Sequence, residues 1–319
     1  MSIATLEQAV LDLPDLRDPA AFPDCAVCGE QAWIPVYEGP VRDGAFGNSR
    51  HGAAVAECMG CGVRRLDEHA CHDDAVYTDE TYREILGEAA DTNGFHAAHD
   101  PLQLERLNVV DPMTLRGKVV ADVGCAAGSF LDFVSGLARS VIAVEPGKPY
   151  HDSLARRGFH VYDFTSHALD DCAGAVEHAF SFQVIEHVEE PAAFLTEIAA
   201  LMAPGGRLTI STPNRGDLLM ELLPEDYPPF FYRCVHRWYF SDDSLARCGR
   251  AAGLVPVETR YVHRFGVANT LRWLRDRVPG GRDPLPGLDD PALDSVWRDT
   301  LAREGTADTI YMTFEKPLP

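Results

Sequence analysis

An α/β fold is predicted, with a seven-stranded, mostly parallel sheet whose last strand runs antiparallel, preceded by a small cysteine-bearing module. Three observations carry this. From residue 119 onward, apolar segments of strand length alternate with helical ones, the order that builds a parallel sheet with helices on both faces. The first of these strands, VVADV, runs directly into the small-residue turn GCAAG and then a helix. Upstream, four cysteines stand in two C-x-x-C pairs.

Residues 1–20 read as an N-terminal extension, 21–70 as the cysteine module, and 71–117 as a polar, partly helical linker able to fold over the main domain as a lid. The main domain spans 118–319, with insertions at about 215–240 and 262–306. Its strands are expected over 119–123, 141–145, 160–164, 178–183, 205–211, 255–262 and 308–316. Helices are expected over 128–138, up to 157, over 191–202, where Pro191 suits a first turn, and over 243–253.

With 319 residues, 46% hydrophobic and 24% charged, the chain can bury one large core and a satellite. The balance of 28 basic against 49 acidic residues gives a net charge of -21, which repels phosphate backbones and anionic lipids. Neither nucleic acid nor a membrane is therefore expected as a partner. The first twenty residues lack a basic start and a continuous apolar block, and no apolar run is long enough to cross a bilayer, so a cytoplasmic location is expected. Oligomeric state is not legible; a homodimer is compatible with the sequence.

Cys25, Cys28, Cys58 and Cys61 form the pairs CAVC and CMGC, each followed by a glycine that permits a tight turn facing one metal ion. The pattern resembles a zinc ribbon with a long intervening hairpin. Four thiolates leave no open coordination position, so the expected metal is a structural Zn2+.

The turn after the first strand discriminates between cofactors. A dinucleotide site uses G-x-G-x-x-G, whereas Asp122, Gly124, Ala126 and Gly128 give D-x-G-x-A-x-G. This resembles class I S-adenosylmethionine-dependent methyltransferases, whose usual form has glycine at the position of Ala126. Glu145 ends the second strand roughly twenty residues past the first glycine, a distance from which a carboxylate can accept from both ribose hydroxyls. The segment FQVIEHVEEPAAFLTEIAALMAPGGRLTISTPN is similar to that of methyltransferases related to the ubiquinone-biosynthesis O-methyltransferases. The resemblance implies a Rossmann-like methyltransferase sheet with S-adenosylmethionine as cofactor. Asp163 and Phe164 are placed to meet the adenine, and Cys125 in the turn and Gln183 after the fourth strand join the cofactor set.

Methyl transfer is an in-line displacement, and a hydroxyl acceptor also needs a base. His187, His236 and Tyr232 are the candidate catalytic residues, on loops expected at the carboxyl edge of the sheet. Tyr77 and Tyr82 of the linker, Asn214 after the fifth strand and Arg233 are candidates for acceptor binding. A zinc module joined to such a domain resembles nucleotide-sugar C-methyltransferases, but Val235 stands before His236 where those enzymes carry glutamate. The expected reaction is therefore methylation of a sugar hydroxyl, nucleotide-linked or on a glycan intermediate. The alternatives are C-methylation of a nucleotide-linked keto sugar and O-methylation of another natural product. RNA methylation and non-catalytic S-adenosylmethionine binding rank below these.

Overall fold

The computed structural model describes residue 18 and residues 20–319, apart from 284 and 289. Most of the predicted N-terminal extension, 1–20, lies outside the described residues. Eleven strands are found among them: β1 Trp33–Arg42, β2 Ser49–Cys58, β3 Arg64–Leu66, β4 Val119–Val123, β5 Ser140–Val144, β6 His160–Tyr162, β7 Val176–Phe182, β8 Met202–Pro213, β9 Trp238–Tyr239, β10 Val255–Val262 and β11 Thr309–Glu315.

The main sheet has the order β10-β11-β8-β7-β4-β5-β6. β4 pairs in parallel with β5 and β7, β5 with β6, and β7 with β8. β11 inserts antiparallel between β8 and β10. The central strands β4 and β7 are buried on both faces along nearly their whole length, as a helix-covered parallel sheet requires. Helices Thr92–Val109 and Ser129–Val134 lie against each other, as do Thr165–Cys172 and Pro191–Leu201.

Two local expectations need correction. The helix after the first turn ends at Val134, short of 138, and β6 stops at Tyr162, so Asp163 and Phe164 lie on the loop beyond it. Helix Thr165–Cys172 follows, unpredicted because its short, polar sequence has no clear apolar stripe.

The N-terminal module is an antiparallel sheet, but it is not self-contained. Its order is β1-β2-β3-β9, and β9 comes from the 215–240 insertion of the main domain. Arg42 and Arg233 form a further backbone bridge between module and insertion. A shared apolar cluster follows, in which Val41, Val55 and Leu66 of the module pack with Leu219, Phe231, Tyr232 and Tyr239 of the insertion. The linker holds two short 3-10 turns, Asp74–Tyr77 and Pro112–Leu115, and helices Thr81–Leu86 and Thr92–Val109. The 262–306 insertion forms helices Val267–Asp276 and Pro291–Glu304. Among the described residues no helix is long and apolar enough to cross a membrane.

Candidate functional site

The predicted cofactor residues gather at the carboxyl ends of β4, β5, β6 and β7, the edge at which open α/β sheets bind ligands. Gly124 (φ 80°) and Gly128 (φ 78°) are left-handed, and a Cβ on Gly128 would stand 2.6 Å from Leu154 Cδ2. Ala126 is also left-handed at φ 47°, which explains the glycine usual at that position and costs roughly 1–2 kcal/mol for an alanine. Glu145 is buried and spans the turn, accepting from the Ala126 amide at 2.7 Å and the Gly147 amide at 2.8 Å. Burial raises its carboxyl, and it raises that of Asp122 to about 7. Cys125 is buried inside the turn. Asp163 pairs with Lys148 at 2.5 Å, which holds its carboxyl below the ordinary value, and Phe164 stands 47% exposed beside it. Gln183, at φ 59°, closes β7, its Nε2 donating to Ser211 Oγ at 3.2 Å.

Next to this edge lies a cleft of about 310 Å³, whose wall includes Tyr82, Gln183, Glu186, His187, Arg233 and His236. Three elements meet there. The loop after β7 supplies Glu186 and His187, the insertion supplies Arg233 and His236, and the linker supplies Tyr82. Strand β9 fastens the first two together: the Trp238 amide donates to Glu186 O at 3.1 Å and its indole Nε1 to Val188 O at 2.9 Å. Arg237 ties in the linker, donating to Glu68 Oε1 at 3.0 Å, to His187 O at 3.3 Å and to Asp74.

His187 Nδ1 faces the Val235 carbonyl at 2.6 Å, so Nδ1 carries the proton and Nε2 the lone pair. The Tyr77 hydroxyl also donates to that carbonyl at 3.1 Å. The rings of Tyr77, Tyr82 and His236 surround His187 edge-on at 5.5, 5.6 and 4.7 Å. Burial lowers His187 to about 3 and, with repulsion from Arg233, lowers His236 well below its ordinary value, so both rings are neutral. Glu186 is fully buried, and burial raises it to about 7 against the Thr212 hydroxyl and the Arg233 charge, which favour its ionised form. One atom each of Glu186, His187 and His236 lies within 4.8 Å of the others, a group that could hold a metal ion.

Two sequence expectations do not survive the geometry. Tyr232 is 1% exposed and outside the cleft; its hydroxyl accepts from Arg64 Nη1 at 3.3 Å, and its ring packs on Tyr37 and Tyr239 in the module core. Asn214 is used up structurally, its Nδ2 donating to Gly305 O and Ala307 O and its Oδ1 accepting from the Gly216 amide. Several cleft residues are absent from the sequence reading, among them Glu186, Arg42, Asp217, His263 and Arg264. Glu186 was visible as the acid beside His187, whereas Arg42 reaches the cleft from the distant module without a local signal.

The four module cysteines converge. Cys25 and Cys61 Sγ are 3.7 Å apart, Cys28 and Cys58 Sγ 3.5 Å, and all four lie within 4.8 Å of one another. A tetrahedron of ~2.3 Å Zn–S bonds has edges of ~3.8 Å.

A sheet of this order, with a small-residue turn after its first central strand and an acid ending the second, defines the class of S-adenosylmethionine-dependent methyltransferases. Residues 98–259 match the family described as "Methyltransferase domain", and the chain belongs to that family. It is similar to the ubiquinone biosynthesis O-methyltransferase of Aeromonas salmonicida, at 27% identity over 179 residues covering 50% of this chain and 71% of that one. The enzyme of the same name from Neisseria meningitidis serogroup C is 29% identical over 185 residues, covering 52% and 76%. Among solved structures, a methyltransferase from Archaeoglobus fulgidus overlaps with a TM-score of 0.47 at 15% identity, covering 68% of this chain and 94% of that one. That overlap bears on neither substrate nor mechanism.

Proposed function

We propose that the protein methylates a hydroxyl of a small acceptor bound in the cleft, with Glu186 as the group that takes the hydroxyl proton. The observation that carries this is Glu186 itself: a fully buried carboxyl raised to about 7, grouped with two neutral histidines at the cleft wall. Such a group is matched to proton abstraction near neutral pH. The relatives named for O-methylation favour oxygen as the acceptor atom.

When bound, S-adenosylmethionine supplies an electrophilic methyl group. The Gly124–Gly128 turn would give its amino acid portion a close backbone approach, and Glu145, now bonded to the Ala126 and Gly147 amides, would hold the ribose hydroxyls. Asp163 and Phe164 would hold the adenine, and Gln183 would stand at the junction of cofactor and acceptor. His187, with Nε2 free, accepts from or orients the acceptor hydroxyl, and His236 lies across from it. Their depressed basicity leaves Glu186 as the stronger base. Tyr77 and Tyr82 roof His187 and exclude water from this corner. A cleft lined with Gln183, Glu186, His187 and His236 offers many polar partners, which suits a sugar hydroxyl, nucleotide-linked or on a glycan intermediate. We also infer that the four cysteines hold a structural zinc.

Glu186→Gln tests the reading. It keeps size and hydrogen bonding but not basicity, and turnover should fall about 10²–10⁴-fold with S-adenosylhomocysteine affinity unchanged. Unchanged turnover would remove Glu186 from the chemistry. A second reading is favoured by the three donor atoms within 4.8 Å: a divalent ion on Glu186, His187 and His236 binds the acceptor oxygen. Turnover lost on brief chelation and restored by magnesium would select it.

A further inference from the structure

The cleft wall carries two arginines that form no ion pair among the described residues. Arg42, from β1 of the module, and Arg233, from the insertion, both line it. Their backbones are joined: the Arg42 amide donates to Tyr232 O and the Cys234 amide to Arg42 O, both at 2.9 Å. This places two guanidinium side chains on one wall. The Nε atoms of both are buried without a hydrogen-bond partner, and among the described residues neither has an ion-pair partner. Arg42 has only the Phe230 ring, 4.1 Å from its Cζ. Burial and the Arg233 charge lower Arg42 to about 9, a measure of how uncomfortable the pair is when unliganded.

The nearby acids are otherwise engaged. Asp43 pairs with His72 at 2.7 Å, Asp217 accepts from the Tyr227 hydroxyl at 3.0 Å, and Asp308 pairs with Arg264 at 2.5 Å. Glu186, the remaining acid in the wall among the described residues, lies beside Thr212 and forms no direct ion pair with either arginine. In a chain with a net charge of -21, arginines have ample carboxylates to pair with, so leaving two of them bare in a cleft points to a ligand. Two half-buried forks on one wall match a dianion with several acceptor oxygens, the chemistry of a phosphoryl group.

We propose that Arg42 and Arg233 form a subsite for a phosphoryl group carried by the acceptor, so that the substrate is a phosphate or diphosphate ester and not a neutral alcohol. This rests on the reading of the cleft as the acceptor site. It also gives the N-terminal module a direct part in substrate recognition, since Arg42 belongs to β1.

Calorimetric titration of the full chain, saturated with S-adenosylhomocysteine, with inorganic diphosphate tests it. One saturable site is expected, weakened at least about tenfold in Arg42→Met and in Arg233→Met, with S-adenosylhomocysteine affinity unchanged. Arg42→Lys and Arg233→Lys guard against misfolding: they keep the charge, lose the fork, and should weaken binding less than the methionine variants. Inorganic phosphate and uridine diphosphate run as parallel arms. Phosphate binding as tightly as uridine diphosphate indicates a simple phosphate ester, and tighter uridine diphosphate a nucleotide-linked acceptor; both support the subsite. Absence of saturable binding in all three arms, binding insensitive to both methionine variants, or binding of benzoate in preference to diphosphate would overturn it. Failure of S-adenosylhomocysteine to bind would instead strike the methyltransferase reading, and the diphosphate titration can then be read without it.

Discussion

Single buried residues set both chemistry and pH response. His178 on β7 is buried, stacks on Phe180 at 4.4 Å and shares a 3.0 Å hydrogen bond between Nε2 and Thr209 Oγ1. Burial, aided by Lys118 and Arg207, lowers it to about 3, so the folded ring stays neutral while the unfolded one protonates near 6.5. Its contribution is thus fully present above 6.5 and is lost as pH falls from there toward 3. Stability should drop by ~2 kcal/mol between pH 6.5 and 5 from this residue, and His178→Gln should remove that share in denaturant melts at the two pH values. His187 and His236 act with the same sign. At this scale the sequence was legible where a residue type answers to backbone geometry: Gly124 and Gly128 were picked out as turn residues, and Ala126 as the irregular one, before its φ of 47° was known. Tyr232 was misread because an aromatic hydroxyl in a functional loop looks the same from sequence whether it faces a cleft or a core. Its burial against Tyr37 depends on a strand almost two hundred residues upstream in the chain.

Among the elements, the short strand β9 and its preceding loop connect everything at the site. Trp238 holds the loop after β7, while Arg237, buried and bonded to Glu68 and Asp74, holds the turn that carries Tyr77 over His187. Glu68 and Asp74 are partly exposed, which limits the ion pairs, but the Arg237 head is not. Arg237→Met should cost about 1–3 kcal/mol in unfolding free energy and release the linker, seen as faster proteolysis within 71–80 and a raised acceptor KM. An unchanged cleavage pattern would mean the linker is held by other contacts. Longer strands such as β7 and β10 are readable from sequence within a residue or two. A two-residue strand such as β9 has no periodicity to read, and its partner β3 is distant in the chain, so its pairing emerges only in three dimensions.

For the molecule as a whole, two sheets share one cleft. The module sheet needs β9 from the main domain, and the cleft needs Arg42 from the module. The four cysteines anchor the opposite end of β2, where Cys58 closes the strand whose neighbour β1 ends at Arg42. Cys58→Ser should therefore lower the zinc content from about one per chain, lower the melting temperature, and weaken acceptor binding more than S-adenosylhomocysteine binding. The cluster of four cysteines and the main sheet are legible from cysteine spacing and the onset of alternating strands. Their interdependence was not, because it rests on pairings between the 215–240 insertion and the first seventy residues.

On this reading the turn after β4 and the acid after β5 hold S-adenosylmethionine. Calorimetric titration of the wild-type chain with S-adenosylhomocysteine tests it most directly, alongside Gly124→Val, whose side chain would overlap Val184 at a left-handed position, and Glu145→Ala. One site per wild-type chain, lost in Gly124→Val and weakened at least about tenfold in Glu145→Ala, is the predicted result. No binding to the folded wild-type chain, or equal binding by all three proteins, would contradict it.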